Sequence, residues 1–180
     1  MIYVFLANGF EETEAIAPID ILRRAELEVK TVGVGGKEIT GAHGITVTAD
    51  LTEGEISLSR ELEMVVLPGG MPGTLNLEAS FAVKAAVQFC ADRDRYVGAI
   101  CAAPSVLGHM GLLEGKNATC YPGFEQELLG AELPGFPVCK DGKIITANGA
   151  GNALEFGFVL AECLAGKEKA DALRAAMMYQ

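Results

Sequence analysis

The sequence predicts an α/β fold, a doubly wound, mostly parallel sheet with helices on both faces, that is, an α/β sandwich. Two observations carry that expectation. MIYVFLA at 1–7 is a continuous apolar run, and it, LEMVVL at 62–67 and YVGAI at 96–100 read as short buried strands. Between them lie segments with apolar residues at helical spacing, and strand signals alternating with helix signals imply parallel strands joined by crossover helices.

Taken in order, the first strand ends at the turn dipeptide Asn8-Gly9. EETEAIAPIDILRRAEL then places Ile16, Ile19, Leu22 and Ala25 on one helical stripe, with acids in the first turn where the helix dipole favours them. Pro18 predicts a kink there or a place in an early turn. EVKTVGV at 28–34 is a second strand, and GGKEITGAHGITVTAD a glycine-punctuated hairpin near a sheet edge. LEMVVL stops at Pro68-Gly69-Gly70, after which FAVKAAVQFC repeats apolar positions at 82, 83, 86, 87 and 90, a helix. YVGAI runs into Cys101, and AAPSVLGHMGLL reads as a helix with Pro104 in its first turn. PVCKDGKIITANG is a hairpin turning at Asp141-Gly142. NALEFGFVLAECLAG is apolar nearly all round and is expected to be deeply buried; KEKADALRAAMMYQ is a final amphipathic helix.

A chain of 180 residues that is 50% hydrophobic and 21% charged is expected to form one domain, 1–180, with a core that needs neither disulfides nor structural metal. Fourteen Lys and Arg against 24 Asp and Glu give a net charge of -10. Such a surface repels phosphate backbones and anionic lipid headgroups, so neither nucleic acid nor membrane is an expected partner. With no basic segment before the first apolar run and no small-residue cleavage site after it, the chain reads as cytoplasmic. The cysteines at 90, 101, 120, 139 and 163 are odd in number and lack CxxC spacing, which predicts reduced thiols. Neither histidine, His43 or His109, has a thiol or carboxylate at a metal-ligand spacing, so no metal is expected. No phosphate-loop or dinucleotide fingerprint occurs, and no cofactor is expected.

In an open α/β sheet, ligands bind outside the carboxyl ends of the strands. Three such ends are unusual here: 8–14, 67–71 and 101–104. Cys101, between a strand and a helix N-terminus, has its sulfur near unpaired N–H groups that favour thiolate, and its small neighbours Gly98, Ala99, Ala102 and Ala103 permit a sharp nucleophile elbow. Gly69-Gly70 allows close approach of backbone donors, as an oxyanion hole needs. One acid among Glu11, Glu12 and Glu14 could face the crevice and, desolvated beside a thiolate, keep its proton. The plainer alternatives are a buried structural thiol, an ordinary strand-exit turn and three dipole-complementing acids. Cys90 and Cys163 fall on apolar helix faces, and Gly149-Ala150-Gly151 is too short a pattern to assign. His109 reads as a packing or surface residue, and His43 has no role on local grounds.

Together, ANGFEETEAIAPIDILRRA, VVLPGG, GAICAAP and GAGNALEFGFVLAECLAGKEKA resemble the ThiJ/PfpI superfamily, specifically its parkinsonism-associated deglycase-like branch. The resemblance spans the chain. It implies a flavodoxin-like sandwich, a homodimer, no cofactor, and an elbow cysteine paired with a protonated glutamate. By motif the cysteine is Cys101, the glutamate is Glu14, and the oxyanion-type amides belong to Gly69, Gly70 and Ala102. Where relatives often carry a histidine near the cysteine, GKNATCYPGF offers Tyr121, which puts any histidine-dependent step in question. Ala102 stands where the protease-like branch has histidine, arguing against a Cys-His peptidase. His43 and Arg24 align with basic residues that in relatives reach the partner subunit's site. The implied activity is cofactor-independent conversion of small α-oxoaldehydes, glyoxal and methylglyoxal, by a glyoxalase or deglycase. The alternative is a redox-sensing, protective protein, chaperone-like, whose output is oxidation of the same cysteine. A flavodoxin-like binding module is a third reading, weakened by the lack of a cofactor loop.

Overall fold

The computed structural model describes residues 1–179. In chain order it contains β1 (Ile2–Ala7), α1 (Glu12–Arg24), β2 (Val29–Val34), β3 (Glu38–Thr40), β4 (Thr46–Thr48), β5 (Leu51–Thr52), β6 (Met64–Leu67), α2 (Gly73–Ala79), α3 (Phe81–Asp92), β7 (Tyr96–Ile100), α4 (Pro104–His109), β8 (Val138–Asp141), β9 (Ile144–Ala147), α5 (Ala153–Ala165) and α6 (Lys167–Ala176). Seven strands form one sheet in the order β5-β2-β1-β6-β7-β9-β8. All neighbours are parallel except β8, which returns antiparallel to β9 through the expected turn at Asp141-Gly142. Every residue of β1, β6 and β9 is buried, which explains the unbroken apolar character of β1 and β6; the one polar residue in β9, Thr146, accepts from Thr119 N–H.

The sheet separates two cores. On one side Tyr3, Phe5, Val65 and Leu67 pack with Leu77, Val83, Val87 and Val106 of α2, α3 and α4. On the other, Ile2, Val4, Leu6, Met64 and Val66 pack with Ile19, Leu22, Phe156 and Leu160 of α1 and α5. Alternate residues of one strand thus feed opposite cores, the period-two geometry of a sheet covered on both faces.

Several expectations need correction. Ile16 is 43% exposed, because α1 meets the rest of the molecule through Ala15, Pro18, Ile19, Ile21 and Leu22. Pro18 lies inside α1, at its seventh residue, and the helix continues through it to Arg24. It packs closely on α5, since a Cβ on Gly157 would lie 3.1 Å from the Pro18 Cα. The 35–50 hairpin is a separate two-stranded sheet, β3-β4, and the edge position goes to β5. A helix, α2, occupies residues after Gly70 where none was expected, and α4 is only six residues long. In α5, Phe156, Gly157, Phe158, Leu160 and Ala161 are buried, but Leu154 is exposed and Glu155 and Glu162 are half-buried.

The five cysteines are free, as expected. Among the described residues no helix is long and apolar enough to cross a membrane. His109 is a clasp. Its Nδ1 lies 2.5 Å from Glu78 Oε1 of α2 and its Nε2 2.8 Å from Glu127 Oε2 in a short 3₁₀ turn, 125–127. Both nitrogens can donate only in the imidazolium, and Glu127 and Glu78 raise the ring above its usual range.

Candidate active site

The carboxyl ends of β1, β6, β7 and β9 converge on one point. The loop 8–11 after β1 is anchored to the glycine turn after β6. Glu11 N–H donates to the Gly69 carbonyl (2.9 Å) and Gly73 N–H to that of Gly9 (3.1 Å). After β7 the chain turns through Cys101, whose φ of 65° is unusual for a non-glycine residue and marks the expected elbow. Cys101 N–H donates to the Ala147 carbonyl at the end of β9 (2.8 Å), and its own carbonyl accepts from Tyr121 N–H (2.8 Å).

The three acids of E-E-x-E do three different jobs. Glu11 is the N-cap of α1, its carboxylate accepting from Glu14 N–H at 2.7 Å. Glu12, one helical step on, reaches the β3-β4 turn: its Oε1 accepts from His43 N–H (2.8 Å) and Ile45 N–H (3.4 Å), and its Oε2 lies 2.8 Å from His43 Nδ1. Glu14 points inward, buried, and its Oε2 accepts from Gly69 N–H at 3.0 Å. Its carboxyl neighbours Cys101, since a Cβ built on Gly69 would lie 2.6 Å from both Glu14 Oε2 and the Cys101 Cβ, and the Cys101 thiol and Ala150 amide act on its proton affinity. Gly69 is required by that closeness rather than by φ.

Burial, reinforced by the nearby charge of Glu11, raises the Glu14 carboxyl to about 7, against the pull of Cys101, Gly69 and Ala150. Burial and then Glu14 itself push the Cys101 thiol up to about 12, while amides of Ala102 and Gly70 on the sulfur act in the opposite direction. The thiolate expected from a helix N-terminus alone is therefore corrected. Helix α4 begins three residues beyond the sulfur and is short, so desolvation outweighs its dipole. What the geometry provides is a pair. When Glu14 is ionised its charge opposes a thiolate; when Glu14 takes the thiol proton, that opposition disappears and its O–H becomes a donor to sulfur beside the two amides.

The structure brings together Cys101, Glu14, Gly69, Gly70 and Ala102. Tyr121 borders the group, half-exposed, its ring beside Gly149. His43 and Arg24 do not join it within this chain: His43 is held by Glu12, and Arg24 by Asp20 at 2.7 Å. Sequence reasoning missed the Ala150 amide. The loop after β9 carries it, with Asn152 Nδ2 donating to Asn148 Oδ1 (2.8 Å) across that loop. The glycines of GAG were the only signal, too short to assign on its own. Cys90 and Cys120 are buried in the opposite core, with thiols pushed up by burial to about 12 and about 11.

The chain is similar to known proteins over most of its length. Protein dj-1beta of Drosophila melanogaster is 37% identical over 169 residues, covering 92% of this chain and 90% of that protein. Deglycase PH1704 of Pyrococcus horikoshii is 32% identical over 144 residues, 78% of this chain and 85% of the relative. The solved structure of oxidised Toxoplasma gondii DJ-1 superposes with a TM-score of 0.91 at 33% identity, covering 99% of this chain and 97% of that one. The model of the DJ-1/PfpI family matches residues 1–163, and the chain belongs to that family.

Proposed function

We propose that the chain is a cofactor-independent enzyme acting on small α-oxoaldehydes, glyoxal and methylglyoxal, as a glyoxalase or deglycase. The observation that carries this reading is the closeness of a buried carboxyl, Glu14, to the elbow cysteine, Cys101, both against the Gly69 turn, with burial raising the carboxyl. The thiol proton passes to Glu14 as Sγ forms a bond to the aldehyde carbon. The carbonyl oxygen becomes an oxyanion held by amides of the Gly70 and Ala102 turns, then takes the proton to give a hemithioacetal. Glu14, ionised again, removes the hydrogen on that carbon as a proton and returns it to the neighbouring carbon, while the hemithioacetal hydroxyl proton passes to the neighbouring carbonyl oxygen. The product is a 2-hydroxy thioester, with one carbon oxidised and its neighbour reduced. Water then breaks the carbon–sulfur bond, releasing a 2-hydroxy acid and restoring the thiol. No external oxidant or cofactor enters this balance.

Steady-state formation of lactate from methylglyoxal tests it. Wild type is expected to turn over, with Cys101→Ser slower by about a thousandfold or more. Equal rates in the two proteins would refute the assignment.

A second reading, redox sensing, is supported by the partial exposure of Cys101 and by the oxidised state of the Toxoplasma relative. Here the sulfur attacks hydrogen peroxide, breaking its O–O bond and releasing water. A second equivalent carries the sulfenic acid to a sulfinate to which Glu14 donates a hydrogen bond. Sulfinate accumulation without lactate formation would favour this reading.

The working unit proposed for either reading is a homodimer. Ile16 and Ala17 of α1 with Ile45 and Val47 of the hairpin line an exposed apolar groove. A solution mass of a single chain by light scattering would exclude the dimer.

A further inference from the structure

We propose that His109 is a positioning residue for the Cys101 site: its imidazolium ties α2 to the 125–127 turn, which holds two walls of the crevice together, and loss of its proton frees the turn. For turnover this rests on the aldehyde reading above; for the geometry of the walls it does not.

His109 is the last residue of α4, the helix that follows the cysteine elbow. Its two ring nitrogens reach elements distant in the chain, Glu78 of α2, 31 residues away, and Glu127, 18 residues away. Each of those elements leads back to the site. Thr74 N–H, in the first turn of α2, donates to the Gly70 carbonyl (2.8 Å), and Asn76 Nδ2 donates to the Asn8 carbonyl (2.9 Å), so α2 carries both the glycine turn and the loop after β1. On the other side, Glu127 N–H donates to the Phe124 carbonyl (3.0 Å), Phe124 N–H to that of Tyr121 (3.1 Å), and Tyr121 N–H to that of Cys101 (2.8 Å). Gly108 lets α4 seat directly on this turn, since a Cβ there would overlap the Glu127 carbonyl oxygen.

The double bond pattern requires a charge. Neutral imidazole has one N–H and one lone pair, so only the cation donates to both carboxylates. From α2 the ring faces Glu78, from the turn Glu127, and from its own helix the carbonyl end of α4, all of which favour the cation. Glu125, the other acid of that turn, is engaged by Gly123 N–H (2.7 Å). When the proton leaves to water, one carboxylate meets a nitrogen lone pair and that contact opens. Glu127 is the one released, because its side chain is 51% exposed against 30% for Glu78, and water replaces its hydrogen bond at less cost. The clasp stands on the side of the sheet that packs Leu77 and Val106, opposite the α1–hairpin groove proposed for the homodimer, so a dimer formed through that groove does not cover it.

Amide hydrogen exchange of residues 121–128, divided by the intrinsic rate at each pH, reads the clasp without substrate. It is run in the Glu14→Gln chain, which removes the carboxyl that titrates at about 7 beside Cys101. Exchange there is expected to be about tenfold faster at pH 9 than at pH 6. His109→Gln, neutral at every pH, is expected to show the fast rate at both values. Glu127→Gln, whose amide can donate to the neutral ring, is expected to show no step. With Glu14 intact, His109→Gln is expected to raise KM for methylglyoxal by about fivefold at pH 6 with a smaller effect on kcat, and to match wild type at pH 9, where the turn is already free. Exchange independent of pH while His109 and Glu127 are present, a step that persists in His109→Gln, or an unchanged KM at pH 6 would overturn the proposal. An exchange step in a chain that never turns over methylglyoxal would support the clasp and refute the aldehyde reading.

Discussion

Glu14→Gln is expected to unfold at a higher temperature than wild type at pH 8, to match it at pH 4, and to lose aldehyde turnover. The sign follows from the direction in which burial moves Glu14. A carboxyl raised from 4.5 to about 7 in the folded chain favours folding fully while protonated, below pH 4.5. That contribution is lost progressively as pH rises through 7, because the buried site must then hold a charge that the unfolded chain solvates freely. The ceiling is about 3 kcal/mol, at roughly 1.36 kcal/mol for each tenfold change in proton affinity. Glutamine keeps an acceptor for the Gly69 amide and a donor for the sulfur without ever ionising. Thermal melts of both proteins at the two pH values, beside lactate formation, check both halves. A stability difference independent of pH would mean that the carboxyl is not desolvated, and full turnover in the variant would mean that another group moves the proton.

Gly69→Ala is expected to abolish turnover and to destabilise the fold by about 1–3 kcal/mol, the range for forcing extra volume into a filled site. The added Cβ would sit 2.6 Å from the Cys101 Cβ and from Glu14 Oε2, and 2.9 Å from the Ile100 carbonyl oxygen. Backbone flanks it on the β7 side, so the reactive pair itself must part to make room. Denaturant melts and the methylglyoxal assay read the two effects. The cysteine and glutamate remain in this variant, so lost activity would report their spacing. Wild-type turnover in Gly69→Ala would show that the contact is not needed.

The buried strands were legible because a sheet covered on both faces demands continuous apolar runs, and β1, β6 and β7 have them. Helix α2 was not, since GTLNLEA buries only Gly73, Thr74 and Leu77 and follows a Pro-Gly pair that reads as a turn. The burial of α5 was overestimated because composition cannot say which flank a later helix leaves open. At the site, Cys101 and the Gly69-Gly70 turn stood out at strand ends, where backbone geometry restricts residue type, whereas the residues alone left Glu11, Glu12 and Glu14 open and only the family resemblance singled out Glu14. The raised carboxyl was legible as desolvation; the raised thiol of Cys101 was not, because it depends on how deeply the loops bury it, and desolvation outweighs a six-residue helix. The pairing of Glu12 with His43 was also invisible, since the turn that carries His43 is placed by tertiary contacts such as Ala42 N–H on the Phe10 carbonyl.

The most direct test of the Cys101–Glu14 pair is the rate of iodoacetamide labelling at each cysteine across pH, read by peptide mapping. If the two groups share a proton, Cys101 labels before Cys90, Cys120, Cys139 and Cys163, and its rate climbs through pH 7 as the pair loses its first proton, a step that disappears in Glu14→Gln. Prior labelling of Cys120 or Cys139, or a Cys101 rate that is flat through pH 7 and rises only in the raised thiol range, would contradict it.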